Sequence, residues 1–205
     1  MLPKLVGNGD GTFSAPQRFP AGSVPASLAV GDLNGDGKID LVVANTNSDD
    51  ISLLAGNGNG TLQPQQRFPV GDRPLAVAVA DMNADGRLDI IAGNGNSNEV
   101  SLLFGNGDGT FAPQQRVTVG ARPDAVTVAD VNADGIRDIV VLNESSQDVA
   151  VLVGTGAGTF APQQRFAVGN DPRAVAAGDL NGDGALDLVT ANRTSGNSLS
   201  LLLQR

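Results

Sequence analysis

Four nine-residue stretches of the sequence carry oxygen-bearing side chains in one order, D-x-N-x-D-G-x-x-D. The first supplies Asp32, Asn34, Asp36 and Asp40, and the second Asp81, Asn83, Asp85 and Asp89. The third supplies Asp130, Asn132, Asp134 and Asp138, and the fourth Asp179, Asn181, Asp183 and Asp187. Oxygens at positions 1, 3 and 5 wrap a hard cation, and the Gly at position 6 permits the sharp turn such wrapping needs. The backbone carbonyl at position 7 (Lys38, Arg87, Ile136 or Ala185) is the expected further ligand, and the Asp at position 9 is expected to close the shell. The chemistry this predicts is calcium binding, about four ions per chain, at residues 32–40, 81–89, 130–138 and 179–187. Magnesium fits less well, because it keeps most of its water and takes few protein ligands.

An EF-hand opens in the same way but needs a bidentate Glu at position 12 between helices. Here position 12 is Val43, Ala92, Val141 or Thr190, inside an apolar run, so the EF-hand is rejected. The plain alternative is ordinary hairpin turns, which are rich in Asp, Asn and Gly. It accounts for one or two such residues, not for three Asp and one Asn at fixed positions four times. Charge points the same way. The formal net charge is −9, and of the 22 acidic residues only Glu99 and Glu144 are not Asp, the acid whose short reach suits a tight loop. Four Ca²⁺ would bring the net charge to −1.

A second Gly-rich element recurs at Gly7–Gly11, Gly56–Gly60, Gly105–Gly109 and Gly154–Gly158. Its acidic position drifts through Asp10, Asn59, Asp108 and Ala157, so it reads as turns needing positive φ. Arg18, Arg67, Arg116 and Arg165 also recur, and are expected to pair with acids or cover sheet edges.

The elements that hold these loops repeat every 49 residues. Asp32, Asp81, Asp130 and Asp179 keep that step, as do Pro25, Pro74, Pro123 and Pro172. Register slips only near Arg193–Ser198, where one extra residue enters. Each unit reads as four short strands, in the second unit Leu62–Val70, Leu75–Ala80, Leu88–Ala92 and Val100–Phe104. The first is polar and carries Pro64, as an edge strand does. The second alternates Val and Ala, so both its faces are apolar, as in a strand between stacked sheets. Stacked four-stranded sheets with units of about 40–50 residues predict an all-β β-propeller of antiparallel blades, a single repeat domain over residues 1–205. Phe13, Phe111 and Phe160 fill one repeat column and Phe19, Phe68 and Phe166 another, which predicts packing between blades, with Phe104 outside. Pro3–Val6 and Leu199–Leu203 both match the fourth strand, which gives seventeen candidate strands where four blades need sixteen. The chain is therefore either a closed four-blade ring with a spare strand or part of a larger ring.

Composition narrows the function. The chain holds no Cys, His, Trp or Tyr, so it has no disulfides, no thiolate or imidazole zinc site and no His-based triad. Lys4 and Lys38 are its sole lysines, and neither sits in a catalytic set, so the expectation is that the chain is not an enzyme. With 13 basic against 22 acidic residues and no basic stripe, nucleic acid is not an expected partner. No apolar run is long enough to span a membrane. Met1-Leu2-Pro3-Lys4 does not read as a secretory leader, so for a secreted protein the leader is expected upstream of this sequence or already removed.

These loops, the apolar strand after each (Leu41-Val42-Val43-Ala44-Asn45 in the first) and the Gly105–Phe111 stretch resemble the FG-GAP/VCBS repeat family, found in the heads of integrin α-subunits and in large bacterial surface proteins. The resemblance implies calcium-stabilised blades acting as extracellular or cell-surface adhesion and interaction modules, with a protein or glycan as ligand. The resemblance also implies a ring of about seven blades, where this chain has four units. An incomplete ring would leave faces for self-association. Some calcium-dependent lectins look similar, so a carbohydrate-binding propeller is the alternative, lowered by the lack of Trp and Tyr.

Overall fold

The computed structural model describes residues 2–4, 7, 9–13, 15–193 and 198–204. All of its regular elements are strands. β1 (Leu2–Lys4) and β2 (Gln17–Phe19) form a two-stranded ladder. β3 (Pro25–Gly31), β4 (Asp40–Asn45), β5 (Asp50–Leu54) and β6 (Gln66–Pro69) form the first antiparallel four-stranded sheet. β7 (Pro74–Ala80), β8 (Asp89–Asn94), β9 (Glu99–Leu103) and β10 (Gln115–Thr118) form the second. β11 (Pro123–Ala129), β12 (Asp138–Asn143) and β13 (Asp148–Leu152) begin the third. A small hairpin of β14 (Gly154–Gly156) and β15 (Thr159–Phe160) follows, and β16 (Gln164–Ala167) completes that sheet. β17 (Pro172–Gly178), β18 (Asp187–Asn192) and β19 (Ser198–Leu202) make a last sheet of three strands.

Seventeen strands stand where strands are expected, with the small hairpin in addition; of the expected Pro3–Val6 strand, residues 5 and 6 lie outside those described. One boundary differs from the sequence reading. The polar strand that opens each unit does not join that unit's sheet. β6 pairs with β5, so it is the outer strand of the preceding blade. A four-residue link is then all that carries the chain inward to the next Pro-led strand. Pro64 lies ahead of β6 rather than in it.

The strands that start at Pro25, Pro74, Pro123 and Pro172 are innermost, and each lies against the next. Val77 N–H donates to Ser27 Oγ across one such junction at 3.2 Å. Between the first two sheets, Val42, Ala44, Ile51 and Leu53 meet Val77, Ile90, Ala92 and Leu103 in one buried cluster. The next junctions repeat it, with Ile91, Leu102, Ile139 and Leu152 in the second and Val140, Leu142, Val149 and Leu188 in the third. Alternate residues of the middle strands thus fill two different cores, which is why those strands are apolar on both faces.

Phe68 and Phe111 do pack between blades, and Phe160 packs on the second core. Two expectations need correction. Phe13 and Phe166 are exposed, because among the described residues no blade covers either of them. Phe104, expected outside the packing columns, is packed on the second core. Among the described residues β2 shares a ladder with β1 and β19 with β18, and no ladder joins the first sheet to the last. The stack is an open arc. The register slip expected at Arg193–Ser198 falls mostly on residues outside those described.

Candidate functional site

Each Asp-rich stretch is the loop from the innermost strand to the second strand of its blade. Its backbone coils because positions 4 and 6 both take positive φ. These are Gly35 (72°) and Gly37 (79°), Ala84 (59°) and Gly86 (83°), Ala133 (59°) and Gly135 (85°), and Gly182 (81°) and Gly184 (89°). Ala84 and Ala133 hold this conformation despite a Cβ, at a cost of about 1–2 kcal/mol each. The loop shape is therefore the same in all four copies and does not depend on glycine at position 4.

The coil turns backbone N–H groups onto the side-chain oxygens. Asp32 Oδ1 accepts from Gly35 N–H at 2.8 Å and Oδ2 from Gly37 N–H at 2.8 Å. Asn34 Oδ1 accepts from Asp36 N–H at 2.9 Å, and Asp36 Oδ1 from Lys38 N–H at 2.9 Å. The bonds at positions 3 and 5, and the one from the position-6 N–H, recur in the other three loops. The position-1 Oδ1 accepts from Gly182 N–H in the fourth loop as from Gly35 in the first, and from the Asp85 and Asp134 N–H groups in the second and third, where Ala stands at position 4. At position 7 the side chains of Lys38 and Arg87 lie 3.1 and 4.0 Å from the position-5 carboxylates, while Ile136 and Ala185 bring no charge.

These bonds tune the acids. The Lys38 ammonium and N–H hold Asp36 below the usual carboxylate value, and the Gly182 and Gly184 N–H groups do the same for Asp179. Asp89 is pushed up, mainly by burial, with the Asp85 and Asp81 charges adding to it.

Position 9 behaves differently from the other three. Asp40, Asp89, Asp138 and Asp187 are fully buried, and both oxygens of each accept backbone N–H groups. Leu33 N–H reaches Asp40 Oδ2 at 3.0 Å and Gly56 N–H reaches Oδ1 at 2.8 Å. The same pair recurs from Met82 and Gly105 to Asp89, from Val131 and Gly154 to Asp138, and from Leu180 and Gln204 to Asp187. This carboxylate ties the loop's start to the turn that leaves the third strand. Gly105 must be glycine for that turn to pass, since a Cβ there would stand 2.3 Å from the Leu88 carbonyl oxygen.

The donor set suits a hard cation, being oxygen throughout. Among the described residues, however, no three acidic side chains gather into a ready-made metal cage. Positions 1, 3 and 5 are bound to the loop's own N–H groups, and Asp at position 9 stands behind them.

Two features were not singled out from sequence. Position 2 of the loop (Leu33, Met82) is buried and anchors the loop in the core; its signal is the apolar residue between Asp and Asn. The loop also interlocks with the next blade: Gly109 N–H donates to Leu33 O at 3.2 Å, so the Gly-rich turn of the second sheet sits on the loop of the first. The Gly-rich element is indeed a turn, with Asp108 Oδ1 accepting from Thr110 N–H at 2.9 Å and from its hydroxyl. The recurring arginines pair with acids, Arg67 with Asp50, Arg116 with Glu99 at 2.9 Å and Arg165 with Asp148. At the opposite end of the sheets, Arg173 bridges Asp124, Glu144 and Asp171 and locks the third blade to the fourth.

Stacked four-stranded sheets joined outer strand to inner strand, with one coiled acidic loop per blade, define a repeat propeller. The FG-GAP-like repeat model matches residues 5–43, 32–92, 81–141 and 130–190, and the chain belongs to that family. A solved lectin from Agrocybe aegerita, described for recognition of non-reducing terminal N-acetylglucosamine, is similar over 98% of this chain and 60% of its own, with 22% identity and TM-score 0.60. A functionally unknown protein from Desulfotomaculum acetoxidans matches 93% of this chain and 57% of its own, with 16% identity and TM-score 0.69. A periplasmic gluconolactonase from Pseudomonas aeruginosa matches 95% of this chain and 48% of its own, with 19% identity and TM-score 0.57. The chain thus spans at most 60% of the length of these structures. No curated protein matches significantly.

The gluconolactonase corrects one expectation. The sequence reading excluded an enzyme because His and Cys are lacking. A gluconolactonase is an enzyme with this fold, so the fold gives no support to that exclusion. Carboxylates and bound metals also run hydrolytic chemistry, which needs neither His nor Cys.

Proposed function

We propose that this FG-GAP repeat chain is a calcium-binding interaction or adhesion module of the extracellular space or cell surface, in which the metal mainly stiffens the blades. The observation that carries the reading is the fourfold recurrence of one loop conformation with one donor order, including at Ala84 and Ala133, where the backbone is strained. Calcium would draw Asp32, Asn34 and Asp36, and their equivalents, toward a common centre, with the position-7 carbonyl and the buried position-9 Asp behind them. Because Gly109 bonds to Leu33, ordering the first loop also fixes the next blade. Modules of this kind work where calcium is at 10⁻⁴–10⁻³ M, which is the basis for the extracellular assignment.

Thermal melts in calcium, magnesium and EDTA test this. A large rise in Tm with calcium, and little with magnesium, is expected. Superimposable melts in all three would sink the reading.

The solved lectin of the same fold favours a second reading, carbohydrate binding. Binding of the calcium-loaded chain on a glycan array, lost in EDTA, would establish it; a blank array would leave protein ligands as the partner class.

A further inference from the structure

We infer that a groove between the outer parts of the second and third blades receives a tyrosine side chain presented by a partner protein. This deepens the reading of the chain as an interaction module, on which it rests, and it does not depend on calcium. Each of the two blades has another blade of the chain on either side of it, so the groove is internal to the stack.

The chain itself shows what the groove lacks. At the first blade junction, Phe68 of β6 packs edge to face on Phe111 of the next blade. At the second junction, Phe160 keeps the column of Phe111, but Val117 stands in the column of Phe68. An isopropyl group thus replaces a benzyl group. Phe104 packs on the same core against Gly158, where a Cβ would stand 2.4 Å from its ring, and it does not line the groove. What stays open is about 480 Å³, lined by Val117, Leu152, Phe160 and Pro162, with Thr118 and Gln163 among the polar groups. No charged side chain lines it, which suits a neutral ring packed on Phe160 as Phe68 is packed on Phe111.

A second column of the repeat breaks at the same place. In the first blade Ser52 Oγ donates to Gln65 Oε1 at 2.6 Å, and in the second Ser101 Oγ donates to Gln114 Oε1 at 3.0 Å. In the third blade Ala150 replaces the serine, and Gln163 Oε1 is shut off from solvent with no partner. An acceptor left so gains from any donor that reaches it. A turn of the Gln163 amide brings Oε1 to the groove, where a phenolic O–H donates to it and a plain benzyl ring does not. The ring does not come from these blades, because the sequence holds no Tyr. A peptide rather than a free phenol is the expected source, since β10, which carries Val117, is the outer strand of its sheet. Among the described residues only β9 pairs with it, so its other edge offers backbone groups to an extended segment.

The test is a two-dimensional ¹H–¹⁵N NMR titration with p-cresol, run on the folded chain in calcium and again in EDTA. Saturable shifts centred on Thr118, Phe160 and Gln163 are expected in both solutions, with Kd of about 1–10 mM. No shift at these residues would overturn the inference, whether or not calcium binds, so the two readings fail separately. V117F puts the chain's own ring in the slot and is expected to abolish the shifts; p-cresol binding undiminished in folded V117F would contradict the site. A150S restores the serine of the first two blades and is expected to weaken p-cresol about fivefold while leaving toluene unchanged. Equal effects on the two probes would refute the part given to Gln163. The neutral peptide acetyl-Gly-Tyr-Gly-amide is expected to bind more tightly than p-cresol, and weaker binding would contradict a peptide as the occupant.

Discussion

Phe68 and Phe111 meet edge to face, ring centroids 5.0 Å apart and planes at 82°, across the junction of the first two blades. Such pairs add about 0.5–1.5 kcal/mol beyond the area they bury. A double-mutant cycle with Phe68→Leu and Phe111→Leu is therefore expected to give a coupling of about 1 kcal/mol in urea unfolding. Additive losses would mean the rings only fill space.

If the loops hold calcium as proposed, positions 5 and 9 of one loop should divide metal binding from folding. Asp89 is buried and holds the Met82 and Gly105 N–H groups, whereas Asp85 is exposed. Asp89→Ala leaves two buried donors unpaired and is expected to cost about 2–5 kcal/mol even in EDTA. Asp85→Ala is expected to change stability in EDTA by less than about 0.5 kcal/mol and to remove the calcium response of its loop. Equal losses from both in EDTA would refute this division.

Gly105→Ala tests the close passage of the turn over Leu88. The added Cβ must push the turn off the Leu88 carbonyl and stretch the bond to Asp89. A loss of about 2–3 kcal/mol is expected in chemical denaturation. Gly37→Ala, where nothing crowds the Cβ, strains φ alone and should cost about 1–2 kcal/mol.

The loop carboxylates of the calcium-free protein should titrate in opposite senses. Asp179 is held low by backbone N–H donors, so its contribution to stability is present above its unfolded pKa and is lost as pH falls through its folded one. Asp89 is held high by burial, so its ionisation opposes folding as pH rises from its unfolded pKa through its folded pKa. Carboxylate NMR titration in EDTA is expected to put Asp179 below the ordinary carboxylate value and Asp89 above it. The reverse order would contradict the hydrogen-bond geometry.

Much of this was legible in the sequence, because the repeat prints every structural demand four times. The Asp, Pro and Arg columns gave the blade, its loops and its edge pairs. Sheet membership was not legible. The Gln-Arg-Phe strand opens a sequence unit but closes the previous sheet, and strand pairing is a long-range contact that local pattern does not record. Exposure at the ends was missed for a related reason. A column of like residues implies like environments only where each has the same neighbour, and Phe13 and Phe166 have none. The role of Asp40 was half seen: its place in the pattern suggested a ligand, and its burial with two backbone donors emerged only from the fold.

The central claim is that the four loops bind calcium. On that claim, calcium at ten times its Kd would stabilise each loop by about 1.4 kcal/mol, and four loops together would rival the whole stability of an ordinary domain. The most direct measurement is a calorimetric titration of EDTA-stripped, folded protein with Ca²⁺. The account predicts about four sites per chain, with Kd near 10⁻⁴–10⁻³ M or tighter. Folded protein that takes up no calcium would show that the loops are turns and nothing more.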